Sequence, residues 1–153
     1  MGASAVRNWR KTHIAVNHGA MADTQYLFVY GTRSKAGGHP IHERVAKRSR
    51  FVGEASMQGK LFRMETSPGV VDSDDPADSV RGELYEVIDP KPLFEELDAY
   101  EGCGPMDVPP TLYVRAKRPI RLSDGRALEA WVYLYNRPTE GLKRIASGRF
   151  RRQ

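Results

Sequence analysis

The alternation of apolar and polar residues divides the chain into a few short elements. Tyr26-Leu27-Phe28-Val29-Tyr30 is a near-continuous β-prone run, as expected of a strand covered on both faces. Pro40 starts a helix that runs to about Arg48, with Ile41 and Val45 on its inner side. Phe51 to Phe62 reads as strand, interrupted at Gly53 and Gly59, where a bulge or tight curvature is expected. Ser67-Pro68-Gly69 reads as a turn leading into Val70-Val71. Val80 to Val87 alternates, with Val80, Gly82, Leu84 and Glu86 on one face and Arg81, Glu83, Tyr85 and Val87 on the other. Leu112 to Leu122 and Ala127 to Tyr135 form a hairpin about Ser123-Asp124-Gly125-Arg126, with Trp131, Tyr133 and Tyr135 on one face. A short helix is expected around Leu142 to Ile145.

Between the third block and the hairpin lies the most informative stretch. Asp89 suits an N-cap, Pro90 the first helical position, and Gly102 the residue just past the end. Phe94, Leu97 and Glu101 then fall on one face at i, i+3 and i+7. Two of them are apolar and the third is a carboxylate. A carboxylate that continues a buried stripe at the negative end of a helix dipole is driven toward its neutral form, the usual preparation of a proton-transfer group. On periodicity alone the favoured reading is that the helix frays at Tyr100 and Glu101 points into water.

Composition narrows the classes. With 153 residues, 40% hydrophobic and 28% charged, the chain suits one globular domain. Its apolar runs are far short of a membrane span, and its N-terminus lacks the apolar core of a secretory signal. The single cysteine, Cys103, rules out an internal disulfide and fits a reducing compartment, so the cytoplasm is expected.

The net charge of +5 hides a strong pattern: residues 1–50 carry +7, residues 51–100 carry −8 and residues 101–153 carry +6. Basic ends attract nucleic acid in principle, but no aromatic residues interleave with these charges to stack bases, so solvated tails are expected. Residues 1–24 read as a flexible extension, 25–148 as the domain and 149–153 as a basic tail. His13 and His18, like His39 and His42, lack further ligands for a metal. The acidic loop Asp72 to Asp78 lacks the glycine and closing glutamate of an EF-hand. No metal site and no cofactor are expected.

The first strand opens into Gly31-Thr32-Arg33-Ser34, whose backbone N–H groups and hydroxyls suit an anion or oxyanion. In order, the chain carries Tyr30-Gly31-Thr32, Gly59-Lys60-Leu61-Phe62, Pro68-Gly69-Val70, Val80-Arg81-Gly82-Glu83-Leu84-Tyr85, Leu97-Asp98-Ala99-Tyr100-Glu101-Gly102, Tyr113-Val114-Arg115 and Ala130-Trp131-Val132-Tyr133-Leu134-Tyr135. This series resembles the γ-glutamylcyclotransferase-like family, also called AIG2-like, over about residues 25 to 148.

The resemblance implies an α+β fold, a small mixed β-barrel flanked by short helices. It implies that Glu101 is the catalytic acid/base and that the Tyr30-Gly31-Thr32 loop, with Arg33, lines the cavity that takes the polar head of the substrate. Arg33 stands where the family usually has leucine. Tyr113 is expected on the cavity wall. The implied reaction cyclises a γ-glutamyl amine or peptide to 5-oxoproline and releases the amine. The partner is then a small γ-glutamyl molecule. Two further readings remain: a binding module that holds a small anionic metabolite in the same pocket without turnover, and a basic nucleic-acid-associated protein.

Overall fold

The computed structural model describes residues 24–31, 41–64 and 67–150. The expected extension at residues 1–24 falls almost wholly outside them, as do Thr32, Arg33 and the tail from residue 151. The strands are β1 (Gln25–Val29), β2 (Ser49–Gln58), β3 (Lys60–Met64), β4 (Ser67–Val71), β5 (Ser79–Val87), β6 (Tyr113–Leu122), β7 (Ala127–Tyr135) and β8 (Lys143–Arg144). The helices are α1 (Ile41–Arg48) and α2 (Pro90–Glu101).

Five strands close into a mixed barrel in the order β1-β5-β2-β6-β7, sealed by a parallel pairing of Leu27 with Trp131. The antiparallel hairpin of β6 and β7 supplies the longest uninterrupted register, from Tyr113↔Tyr135 to Arg121↔Ala127. β4 continues the sheet beyond β7, pairing parallel at Val70↔Leu134, and β3 and β8 follow it outward. The edge of β7 is therefore divided: β1 occupies it at Trp131 and β4 at Leu134.

Period-two alternation places one set of side chains inside the barrel and the other outside. Phe28, Tyr30, Ala55, Met57, Leu84 and Val132 belong to the inner cluster. Leu27, Val29, Tyr85, Val87 and Tyr133 point outward and are covered by Val45 of α1 and by Leu93, Phe94 and Leu97 of α2. The strands of the barrel wall thus bury both faces where the helices lie, and the near-continuous apolar run of β1 follows from that. Arg44 and Arg48 of α1 both reach Glu96 of α2, at 3.2 and 3.0 Å, tying the helices together.

Several expectations need correction. Asp89 makes no side-chain cap; its carboxylate goes to Arg48 at 3.1 Å, while Pro90 does open the helix. Ser67-Pro68-Gly69 is part of β4 and not a turn. Pro68 is tolerated because β7 pairs with β4 only at Val70, leaving no ladder bond that needs its missing N–H on that side. The expected helix near Leu142 is the short strand β8, whose Ile145 neighbour donates to the Leu61 carbonyl at 2.7 Å. Phe150, at the start of the expected tail, is buried in the barrel cluster. Gly53 does mark a bulge, where the register of β2 on β5 shifts. Among the described residues no helix is long and apolar enough to cross a membrane.

Candidate active site

Glu101 occupies the last turn of α2 with 6% of its surface exposed, and it is the only buried carboxylate among the described residues. The helix does not fray there. Gly102 adopts φ 74°, its N–H reaches the Ala99 carbonyl at 3.2 Å, and the Cys103 N–H reaches the Asp98 carbonyl at 2.9 Å. This paired closure is a Schellman end, and it fixes the backbone that carries Glu101.

The side chain of Asp98 anchors the same turn to the barrel wall. It accepts two bonds from Arg115, Nε to Oδ1 at 2.8 Å and Nη2 to Oδ2 at 3.0 Å, and a third from the Tyr133 hydroxyl at 2.7 Å. The guanidinium lies 4.4 Å from the Phe94 ring centroid and 4.5 Å from that of Trp131, and the two rings meet edge to face with their centroids 6.0 Å apart. A planar cation held bidentately and packed against two aromatic rings is a rigid part, which lysine would not reproduce. Burial first, and then the Asp98 hydrogen bond, push the Tyr133 hydroxyl well above the ordinary phenol range, so it is a fixed neutral donor.

The loop at the end of β1 is held from below. Gly31 has φ 103°, and a Cβ there would collide with Pro68. Glycine is required on both counts. The Pro68 carbonyl accepts from the Tyr113 hydroxyl at 2.7 Å. The Tyr30 hydroxyl donates to the Tyr133 carbonyl and accepts from the Val70 N–H at 3.4 Å. Tyr30 thereby sits where β1 gives way to β4 along β7.

Among the expected site residues, Tyr30, Gly31 and Tyr113 are thus brought together around Pro68 to Val70. Each tyrosine has spent its one hydroxyl proton on a backbone carbonyl. Toward a ligand they offer walls, not a free donor. Thr32 and Arg33 lie outside the described residues.

Arg115, Asp98 and Tyr133 are the parts that sequence reasoning passed over. Asp98 stands three residues before Glu101 and Arg115 two after Tyr113, inside segments already singled out, but no periodicity marks them as partners. Cys103 follows the helix end; burial first, then the Asp98 and Glu101 carboxylates, push its thiol up to about 11. It is a poor nucleophile there.

Comparison with known proteins adds a family. The model for gamma-glutamyl cyclotransferase, AIG2-like, matches residues 27–152. A Methanocaldococcus jannaschii protein provisionally named a gamma-glutamylcyclotransferase is 37% identical over 112 residues, covering 72% of this chain and 84% of its own. Among solved structures, the Escherichia coli protein ytfP superposes with a TM-score of 0.57 at 29% identity, covering 82% of this chain and 96% of its own. The Bacillus subtilis protein YkqA superposes with a TM-score of 0.62 at 25% identity, covering 83% of this chain but only 39% of that longer one. A mouse AIG2-like protein shares the fold, with a TM-score of 0.57 at 22% identity, over 85% of this chain and 97% of its own. The chain belongs to the gamma-glutamyl cyclotransferase, AIG2-like family.

Proposed function

We propose that this protein converts a γ-glutamyl amine or γ-glutamyl peptide to 5-oxoproline and free amine, with Glu101 as the general acid/base. The observation that carries this is Glu101 itself, a buried carboxylate on a helix end that is locked at both backbone and side-chain level.

The substrate brings its own nucleophile. Its α-amine attacks the γ-carbonyl carbon, a five-membered ring forms, and the bond from that carbon to the leaving nitrogen breaks. Glu101 takes the proton from the attacking amine and returns one to the leaving amine, so protons balance over the cycle. Holding amine and carbonyl in register supplies several kcal/mol, since effective molarities of such closures are high, about 10⁵ M or more. The acid/base is worth about 10²–10⁴-fold. In this reading the backbone N–H groups of Gly31, Thr32 and Arg33 receive the substrate carboxylate or the carbonyl oxygen as it gains charge. No protein nucleophile and no cofactor enter the scheme.

The test is an amine-release assay over a panel of γ-glutamyl amines and peptides, comparing wild type with Glu101→Gln. Equimolar 5-oxoproline and amine are expected from wild type. Glu101→Gln is near-isosteric and is expected to melt like wild type and release neither product. Wild-type kcat in that variant would overturn the mechanism. Saturable binding by wild type without release across the panel would make the pocket a binding site for an anionic metabolite.

A further inference from the structure

Beside the site, a cleft of about 320 Å³ opens between β5, β2, β6 and the C-terminal segment, with Arg81, Arg121, Arg149, Ser56 and Glu54 among its lining residues. It begins where β1 leaves the edge of β5 after Val29 and the C-terminal segment takes that edge over, the Arg81 N–H donating to the Gly148 carbonyl at 2.7 Å. Gly148 lies so close to β5 that a Cβ would collide with the Ser79 carbonyl. Phe150 is buried in the barrel cluster. Arg149 is therefore pinned on both sides.

The register explains the arrangement. Ser56 of β2 pairs with Arg81 of β5 on one side and Arg121 of β6 on the other, so two arginines flank one hydroxyl on the same face of the sheet. Glu54 pairs with Glu83 in the next row of that face, about 7 Å along the strands. Glu83 accepts the Tyr85 hydroxyl at 2.9 Å. The face thus carries a basic row with a separate acidic row beside it.

The guanidinium partners across the molecule single out this cleft. Arg44 and Arg48 reach Glu96, Arg50 reaches Glu86, Arg115 reaches Asp98, Arg118 reaches Asp72, Arg126 reaches Asp124 and Arg144 reaches Asp78. Arg63 covers the Phe150 ring and Arg137 donates to the Pro110 carbonyl. Among the described arginines, Arg81, Arg121 and Arg149 are left with no such side-chain partner, and all three line the same cleft. Glu54 and Glu83 line the same cleft one row away but form no ion pair with these three guanidinium groups, which repel one another, and an anion bound among them removes that repulsion.

We propose that this cleft is an anion site that takes a phosphate group, free or as a phosphomonoester, on the row Arg81–Ser56–Arg121 with Arg149 closing from the C-terminal segment. Guanidinium forks match the paired oxygens of phosphate, and a serine hydroxyl supplies the neutral donor between them. Gly31 of the proposed substrate loop lines the same cleft, but neither it nor Glu101 belongs to the basic row.

The experiment is an NMR titration of the full chain with inorganic phosphate at constant ionic strength, followed at the backbone amides of Ser56, Arg81 and Arg121, with chloride as control. A parallel titration with glycerol phosphate separates the free ion from the ester by which binds more tightly. Saturable shifts are expected with phosphate and not with chloride. Arg81→Gln/Arg121→Gln is expected to weaken binding at least about tenfold, whereas Arg44→Gln, which removes a distant exposed guanidinium, leaves it unchanged. Arg149→Gln, made on a side chain away from the barrel interior, provides the same reading should the double variant fail to fold. Unchanged affinity in the cleft variants, equal shifts with chloride, or shifts that never saturate would overturn the proposal.

Discussion

Asp98 holds Arg115 by two parallel hydrogen bonds, at 2.8 and 3.0 Å, and does so from the turn that also carries Glu101. Both side chains of this pair are mostly shielded, 20% and 24% exposed. Removing one partner leaves the other charged and poorly solvated. Asp98→Ala is therefore expected to cost about 3 kcal/mol of stability. Urea unfolding checks this, and a double-mutant cycle with Arg115→Met isolates the pair. A coupling energy near zero would show that the stacking of Arg115 on Phe94 and Trp131 holds the turn without Asp98.

Tyr113 and Tyr30 differ in what they leave behind when their hydroxyls are removed. Tyr113→Phe strands one carbonyl, that of Pro68, and is expected to cost about 1 kcal/mol. Tyr30→Phe strands the Tyr133 carbonyl and the Val70 N–H together and is expected to cost about 2 kcal/mol. Denaturant midpoints of the two variants give the comparison. The reverse order would contradict the bonding described.

Cys103 is expected to be dispensable. With its thiol pushed up to about 11, little thiolate exists at neutral pH, so Cys103→Ser should keep turnover and the wild-type thiol should label slowly. The shift also carries a sign for stability. The folded state favours the neutral thiol, so the thiol's contribution is complete below about 9 and is lost as pH rises toward about 11. Melting temperatures of wild type and Cys103→Ser, measured from pH 7 to 11, should converge over that window relative to their neutral-pH difference. Loss of activity in Cys103→Ser would contradict the assigned chemistry.

Arg33 follows directly on the loop that Gly31 begins. If the backbone of that loop binds substrate, Arg33→Leu should leave kcat/KM within a few-fold of wild type. A hundredfold loss, about 2.7 kcal/mol of transition-state stabilisation, would make Arg33 a substrate ligand and point to a more anionic substrate than a simple γ-glutamyl amine.

The elements legible in the sequence are those whose own residues decide them. β1, β5 and the β6–β7 hairpin announce themselves by alternation and turn chemistry. The helix around Leu97 is set by its apolar stripe and by Pro90 and Gly102. What stayed hidden depends on residues far apart in the chain. Ser-Pro-Gly reads as a turn locally, yet Pro68 is held in a strand by β3 and by the Tyr113 hydroxyl 45 residues on. Lys143 and Arg144 have no apolar pattern, and only the free edge of β3 makes them a strand. The Asp98–Arg115–Tyr133 cluster joins three elements, so no window of sequence contains it. The helical stripe offers a buried Glu101 only as an alternative, and the motif Leu97-Asp98-Ala99-Tyr100-Glu101-Gly102 with its family resemblance puts it first.

The division of the β7 edge between β1 and β4 has a mechanical meaning. A cylinder of strands resists opening all along its length, because every rung is shared with its neighbours. Here the wall changes strands partway up, and one phenol ring bolts the joint. That joint rests on the Tyr30 hydroxyl, whereas the β6–β7 hairpin is held by an unbroken ladder from Tyr113 to Arg121.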